Sequence, residues 1–162
     1  MEKLSKHFTL EELCRTSVQT AEGNHPQPQH IENLRRLCRN WLEPLRCAYN
    51  CRYVLAEDES YDTYPYAEPI IISSGYRSEA VNKAEGGAAN SNHLTGCAVD
   101  IRAAGLEQAL RYAVLLLDIS DEQKADFDEL LLERNARGGY WIHLAVRPHG
   151  NRRKVKVLNI KH

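Results

Sequence analysis

The chain has 162 residues and a mass of 18.5 kDa, about one domain's worth and enough to bury a core without disulfides or structural metals. Its 43% hydrophobic and 27% charged residues are ordinary for a globular domain, and a mean hydropathy of -0.54 with no long apolar run argues against a spanning helix. Twenty-one Lys and Arg against 22 Asp and Glu give a net charge of -1, which argues against a protein built to neutralise nucleic-acid phosphates. Residues 1–7 lack the apolar core of a secretory signal, so the expectation is synthesis in the cytoplasm. A monomer is the expected state, although no residue pattern decides it. Cys14, Cys38, Cys47, Cys51 and Cys97 are odd in number and form no C-x-x-C pair. That favours half-buried, reduced thiols over a disulfide framework or a four-thiolate zinc site, although Cys47 and Cys51 could meet on a helix.

In chain order, Thr9 followed by Glu12 is a capping box and predicts a short helix that turns Leu10, Leu13 and Cys14 inward. Residues 16–29, with Gly23, Pro26 and Pro28, read as a long loop. Ile31, Leu34, Leu37, Cys38, Trp41, Leu42 and Leu45 then recur at helical spacing, with Pro44 as a point where that helix can kink. The acidic stretch 56–68, holding Tyr61, Tyr64 and Tyr66, is read as one wall of a groove. Ile70, Ile71 and Ile72 predict a strand, residues 73–78 a turn, Ser78 a cap for a helix through Asn82, and residues 86–92 a small-residue loop. Leu106, Ala109, Leu110, Ala113, Val114 and Leu117 fall at helical spacing and predict one buried stripe.

Residues 127–133 and 140–147 form a hairpin turned through Gly138 and Gly139, and residues 155–160 a last strand, whose flanking Lys154 and internal Lys156 suit a sheet edge. Helices first, then strands around one crossover helix, imply an α+β domain with a central, mostly antiparallel sheet and helices on one side. No repeat or composition break divides residues 1–162, so a single domain is expected.

Side chains alternate across a strand, so the strands can be read face by face. Cys97, Val99 and Ile101 share one face, and Ala98, Asp100 and Arg102 the other. Tyr140, Ile142, Leu144 and Val146 point to the core, while Trp141, His143, Ala145 and Arg147 point away. In the first hairpin arm Leu130 and Leu132 pack inward, which leaves Glu129, Leu131 and Glu133 on the open face with His143. His93 lies in the polar loop 91–96 that feeds the Asp100 strand. Two imidazoles and one carboxylate suit zinc and leave a fourth tetrahedral position for water, as in a catalytic site, with Glu133 placed to take the water's proton. Spacing alone equally allows Asp100 to pair with Arg77 or Arg102 and His143 to be a satisfied strand residue. His7, His25, His30, His149 and His162 show no such pattern.

Ser91, His93, Gly96, Ala98 and Asp100 stand as S-x-H-x-x-G-x-A-x-D. This resembles the zinc motif of the D-Ala-D-Ala carboxypeptidase and murein endopeptidase family, which shares a fold with the hedgehog signalling domain. The likeness continues in Ser74-Gly75-Tyr76-Arg77-Ser78, in Phe127-Asp128-Glu129-Leu130 and in Trp141-Ile142-His143. The opening from His7 to Leu13 is similar to the H-F-T-x-x-E-L of compact, often phage-encoded members, and Asn151-Arg152-Arg153 to their closing N-R-R.

The resemblance implies zinc held by His93, Asp100 and His143, and metal-assisted hydrolysis of peptidoglycan stem peptides. It implies a carboxylate near the last histidine as general base. The common E-x-x-H spacing would put that Glu at position 140, which is Tyr140, so Glu133 at the end of the preceding strand is the matching base and Glu129 the runner-up. Arg77 is implied as the oxyanion-stabilising donor, Ser91 as a substrate or loop-ordering contact, and Trp141 as a groove residue. Asn92 stands where relatives often carry Gln, a difference expected to alter substrate contacts and to spare the metal. Because peptidoglycan lies outside the membrane, a phage endolysin released through a holin would reconcile the compartments. Other classes are a silent zinc-stabilised binding module, a phage structural component, and a nucleic-acid role resting on Arg147, Arg152, Arg153, Lys154, Lys156 and Lys161, a cluster more often found as a solvated edge.

Overall fold

The computed structural model describes residues 1–160, so His162 and Lys161 of the basic cluster lie outside the described residues. Thr9 caps α1 (Leu10–Leu13) by accepting the Glu12 N–H at 3.2 Å. The loop read over 16–29 ends two residues sooner, because α2 (Pro28–Leu37) takes Pro28 as its first residue, where a missing N–H costs nothing. A π-helical turn (Cys38–Leu42) joins α2 to α3 (Glu43–Tyr53), with the Glu43 N–H reaching back to the Cys38 carbonyl. Pro44 has no N–H for the Asn40 carbonyl, which instead accepts Gln123 Nε2 at 2.6 Å. The kink expected at Pro44 is thus a π-turn just before it.

The isoleucine strand is shifted. β1 is Ile72–Ser74, so Ser73 and Ser74, read as a turn, are strand residues, while Ile70 and Ile71 precede it. A bulge between Ile72 and Ser74 carries the chain from its Ile101 partner to Asp100, which sets where pairing begins. Ser78 caps α4 (Glu79–Ala84) through the Val81 N–H. A 3-10 turn (Asn92–Thr95) follows within the stretch read as polar loop, and then β2 (Ala98–Ala103), α5 (Leu106–Gln123), β3 (Glu129–Asn135), β4 (Tyr140–Ala145) and β5 (Lys154–Ile160).

The five strands form one sheet in the order β1-β2-β4-β3-β5, antiparallel throughout except for the parallel β3–β5 pair at one edge. One face, with Val99, Ile101, Leu130, Leu132, Ile142 and Leu144, packs into a common core with Leu34, Leu37, Trp41, Leu45 and Leu116 from the helices. No helix among the described residues is long and apolar enough to cross a membrane.

The buried stripe of α5 departs from expectation. Leu106, Leu110 and Val114 are exposed, and the inward face is Ala109, Tyr112, Leu115, Leu116 and Ile119. Leu106, Leu110 and Val114 obey the same period as the row that is buried, so periodicity did not choose between them. Packing did, because Tyr112 lies against Tyr49 of α3 at 5.0 Å between ring centroids. Cys47 and Cys51 carry free thiols on α3, their Sγ atoms 3.9 Å apart.

Candidate metal centre

The face of the sheet opposite the helices carries the polar residues. Pairing sets Ser74, Asp100, His143 and Leu131 side by side across β1, β2, β4 and β3. His93 comes from the 3-10 turn that enters β2, and Gly96 makes that entry possible: its φ is +70°, and a Cβ there would sit 2.5 Å from the His30 carbonyl oxygen. His93, Asp100 and His143 are all buried, and each offers a ligand atom within 4.8 Å of the others. His93 donates from Nδ1 to the Gly75 carbonyl at 2.6 Å, which turns Nε2 toward Asp100 Oδ2 at 3.4 Å. His143 places Nδ1 2.9 Å from Asp100 Oδ1 and Nε2 3.4 Å from Glu129 Oε1.

Two nitrogens and one carboxylate oxygen converge here, with a backbone carbonyl fixing one imidazole from behind. That donor set fits a zinc ion with an open position. Burial disfavours charge on His143, but its bonds to Asp100 and Glu129 prevail and push the imidazole up to about 10. Burial also raises Asp100, yet His93 and His143 hold its carboxyl well below the usual carboxylate range.

A cavity of about 600 Å³ opens over this cluster and is lined by Arg77, Ser91, His93, Asp100, Glu133, Trp141 and His143. Glu129 is not among its lining residues, because it lies on the far side of His143 along β3. Burial and the nearby Asp100 charge raise the Glu133 carboxyl, against the opposing influence of His143 and a hydrogen bond from the Trp141 indole N–H. Arg77 is held on three sides: Nη2 to Asp100 Oδ2 at 3.1 Å, Nε to Ser74 Oγ at 2.9 Å, and Nε to Glu85 Oε2 at 2.8 Å. Ser91 accepts the His93 N–H at 3.2 Å and so orders the turn while facing the cavity.

Two expectations are corrected. Asn92 is buried, bonded through Nδ2 to Asp128 and Glu129 and through Oδ1 to Arg147, and does not line the cavity. Its neighbours come from chain turns more than 30 residues away, which no local pattern reveals. Nor does the tyrosine-rich stretch wall the groove: the Tyr61 hydroxyl accepts from Arg46, and its ring edges onto His7. Sequence reading also missed Glu85, a helix-end residue made relevant only by its bond to Arg77.

Residues 6–117 match the family model described as Peptidase M15, well over half the chain. The chain belongs to the peptidase M15 family. The matched M15 segment contains Arg77, Ser91, His93 and Asp100, and β2–β4 pairing brings His143 to it from beyond. M15 peptidases are zinc-dependent, and the buried His-Asp-His cluster is where a metal can bind. A search of curated proteins found no match.

Proposed function

We propose that this M15 chain is a zinc peptidase that cleaves amide bonds in peptidoglycan stem peptides or crosslinks, of the D-Ala-D-Ala carboxypeptidase or murein endopeptidase type, with residues 1–162 as one catalytic unit. The observation that carries the reading is Glu133 facing the His93, Asp100 and His143 cluster across one cavity. When bound, zinc supplies Lewis-acid polarisation of water and of the scissile carbonyl.

The chain's own groups do the rest. Glu133, with a carboxyl raised by burial, accepts a proton from the attacking water and passes it to the leaving amine. The Trp141 indole N–H fixes which Glu133 oxygen is free to act. Arg77, clamped by Glu85 and Ser74, turns its fork toward the oxyanion that develops on the carbonyl. Ser91 and Trp141 line the cavity as substrate contacts. As a phage-type endolysin the protein would act on the cell wall after holin-type release.

The test is hydrolysis of purified muropeptides followed by mass spectrometry, comparing the zinc-loaded protein with Glu133→Gln. The expected result is a defined amide cleavage that falls at least about 100-fold in the variant while zinc stays bound. Zinc binding with no cleavage of any muropeptide would move the assignment to a silent binding module.

A further inference from the structure

We infer that Glu129 is a positioning residue for His143, holding the proton on Nε2 so that Nδ1 is the nitrogen offered to a metal. This rests on the metal-centre reading above. An imidazole binds a metal through its unprotonated nitrogen, so whatever accepts the other N–H decides which nitrogen that is. His93 and His143 are set in opposite senses. His93 gives its Nδ1–H to the Gly75 carbonyl and presents Nε2, whereas His143 turns Nδ1 to Asp100 and Nε2 to Glu129.

The sheet register explains how β3 serves His143 twice. Leu131 is its direct partner, so Glu129 and Glu133, two residues either way, flank it on the same face. Glu133 meets the cavity and Glu129 meets the back of the imidazole.

Glu129 is itself held in place. Its Oε1 accepts Asn92 Nδ2 at 3.1 Å and its Oε2 accepts Lys154 Nζ at 3.5 Å. Asn92 Nδ2 also donates to Asp128 Oδ2 at 2.8 Å, and Asn92 Oδ1 accepts Arg147 Nε at 3.0 Å. Asp128, fully buried, takes the Arg152 backbone N–H, Nε and Nη2 at 2.9–3.1 Å. Asn151 closes the frame by bonding the backbone of Arg147 in both directions. Peptide hydrolysis leaves the Asn151-Arg152 pair without a job, and this frame gives it one: it locks Asn92 and Asp128, which hold Glu129 behind His143.

The experiment is competitive chelator titration of zinc on the full chain, wild type against Glu129→Ala and Glu129→Gln, with the fold of each checked by circular dichroism. Glu129→Ala is expected to weaken zinc binding about 10–100-fold. Glu129→Gln, which keeps an acceptor oxygen, should lose less. Nitrogen-15 NMR of the zinc-loaded wild type adds a readout that needs no variant to fold, and is expected to show the His143 proton on Nε2. A proton on Nδ1, or unchanged zinc affinity in a folded Glu129→Ala, would overturn the inference while leaving the metal centre standing. Absence of zinc binding by the wild type would overturn both.

Discussion

Trp141 bonds to Glu133, and Arg77 to Asp100, Ser74 and Glu85, so each can be tested through the partners it holds. The Trp141 ring lines the cavity, but its indole N–H is also spent on Glu133, so ring and donor can be separated by substitution. Trp141→Phe is expected to lower kcat several-fold with little change in KM, because the hydrogen bond is lost and most of the surface is kept. A rise in KM alone would assign Trp141 to substrate contact only. Arg77→Lys removes the fork that reaches Asp100, Glu85 and Ser74 together, and turnover should fall about 100-fold while zinc content holds. At this scale strand alternation set Asp100, His143 and Glu133 on one face and the loop motif added His93, and the structure brings these four to one cavity. The sequence hid Glu85 and Asn92, whose meaning lies in partners brought close only by folding.

Among the elements, the tight turn before β2 is constrained in two ways at once. Gly96 combines a φ of +70° with a backbone carbonyl where a Cβ would stand, so Gly96→Ala should cost about 1–3 kcal/mol, read as a lowered denaturant midpoint. The two apolar rows of α5 give a second test. Leu116 is fully buried and Leu110 is 55% exposed, so Leu116→Ala should destabilise by about 2–5 kcal/mol and Leu110→Ala by well under 1 kcal/mol. Comparable losses at both would contradict the packing of α5 against α3 and the sheet. Capping residues Thr9 and Ser78 and the hairpin glycines made element ends readable. The burial of α5 was not, since both rows satisfy a helical period and only the neighbouring Tyr49 decides. The start of β1 was likewise fixed by a bulge against β2 rather than by its isoleucines.

For the whole molecule, the buried charges tie stability and metal affinity to pH. Burial raises Asp128, but Arg152 and Asn92 outweigh it and hold the carboxyl at about 2, and Glu129 is held at about 2 chiefly by its bond to His143. Both bind fewer protons folded than unfolded, so their stabilisation is complete above about pH 4.5 and drains as pH falls toward 2. His143, pushed up to about 10, runs the other way: without metal, its contribution is full below about 6.5 and is lost as pH rises through about 10. A metal must displace that proton, so zinc affinity should climb with pH across the neutral range, as isothermal titration in matched buffers can verify. Among the described basic residues near the C-terminus, Arg147 and Arg152 pair with Asp128, Arg153 with Asp126, and Lys154 with Glu129, while Lys156 is exposed. The measurement that bears most directly on the account is zinc content after equilibrium dialysis of wild type and Asp100→Ala. The account predicts one zinc per chain in the first and almost none in the second, and equal zinc in both, or none in the wild type, would contradict it.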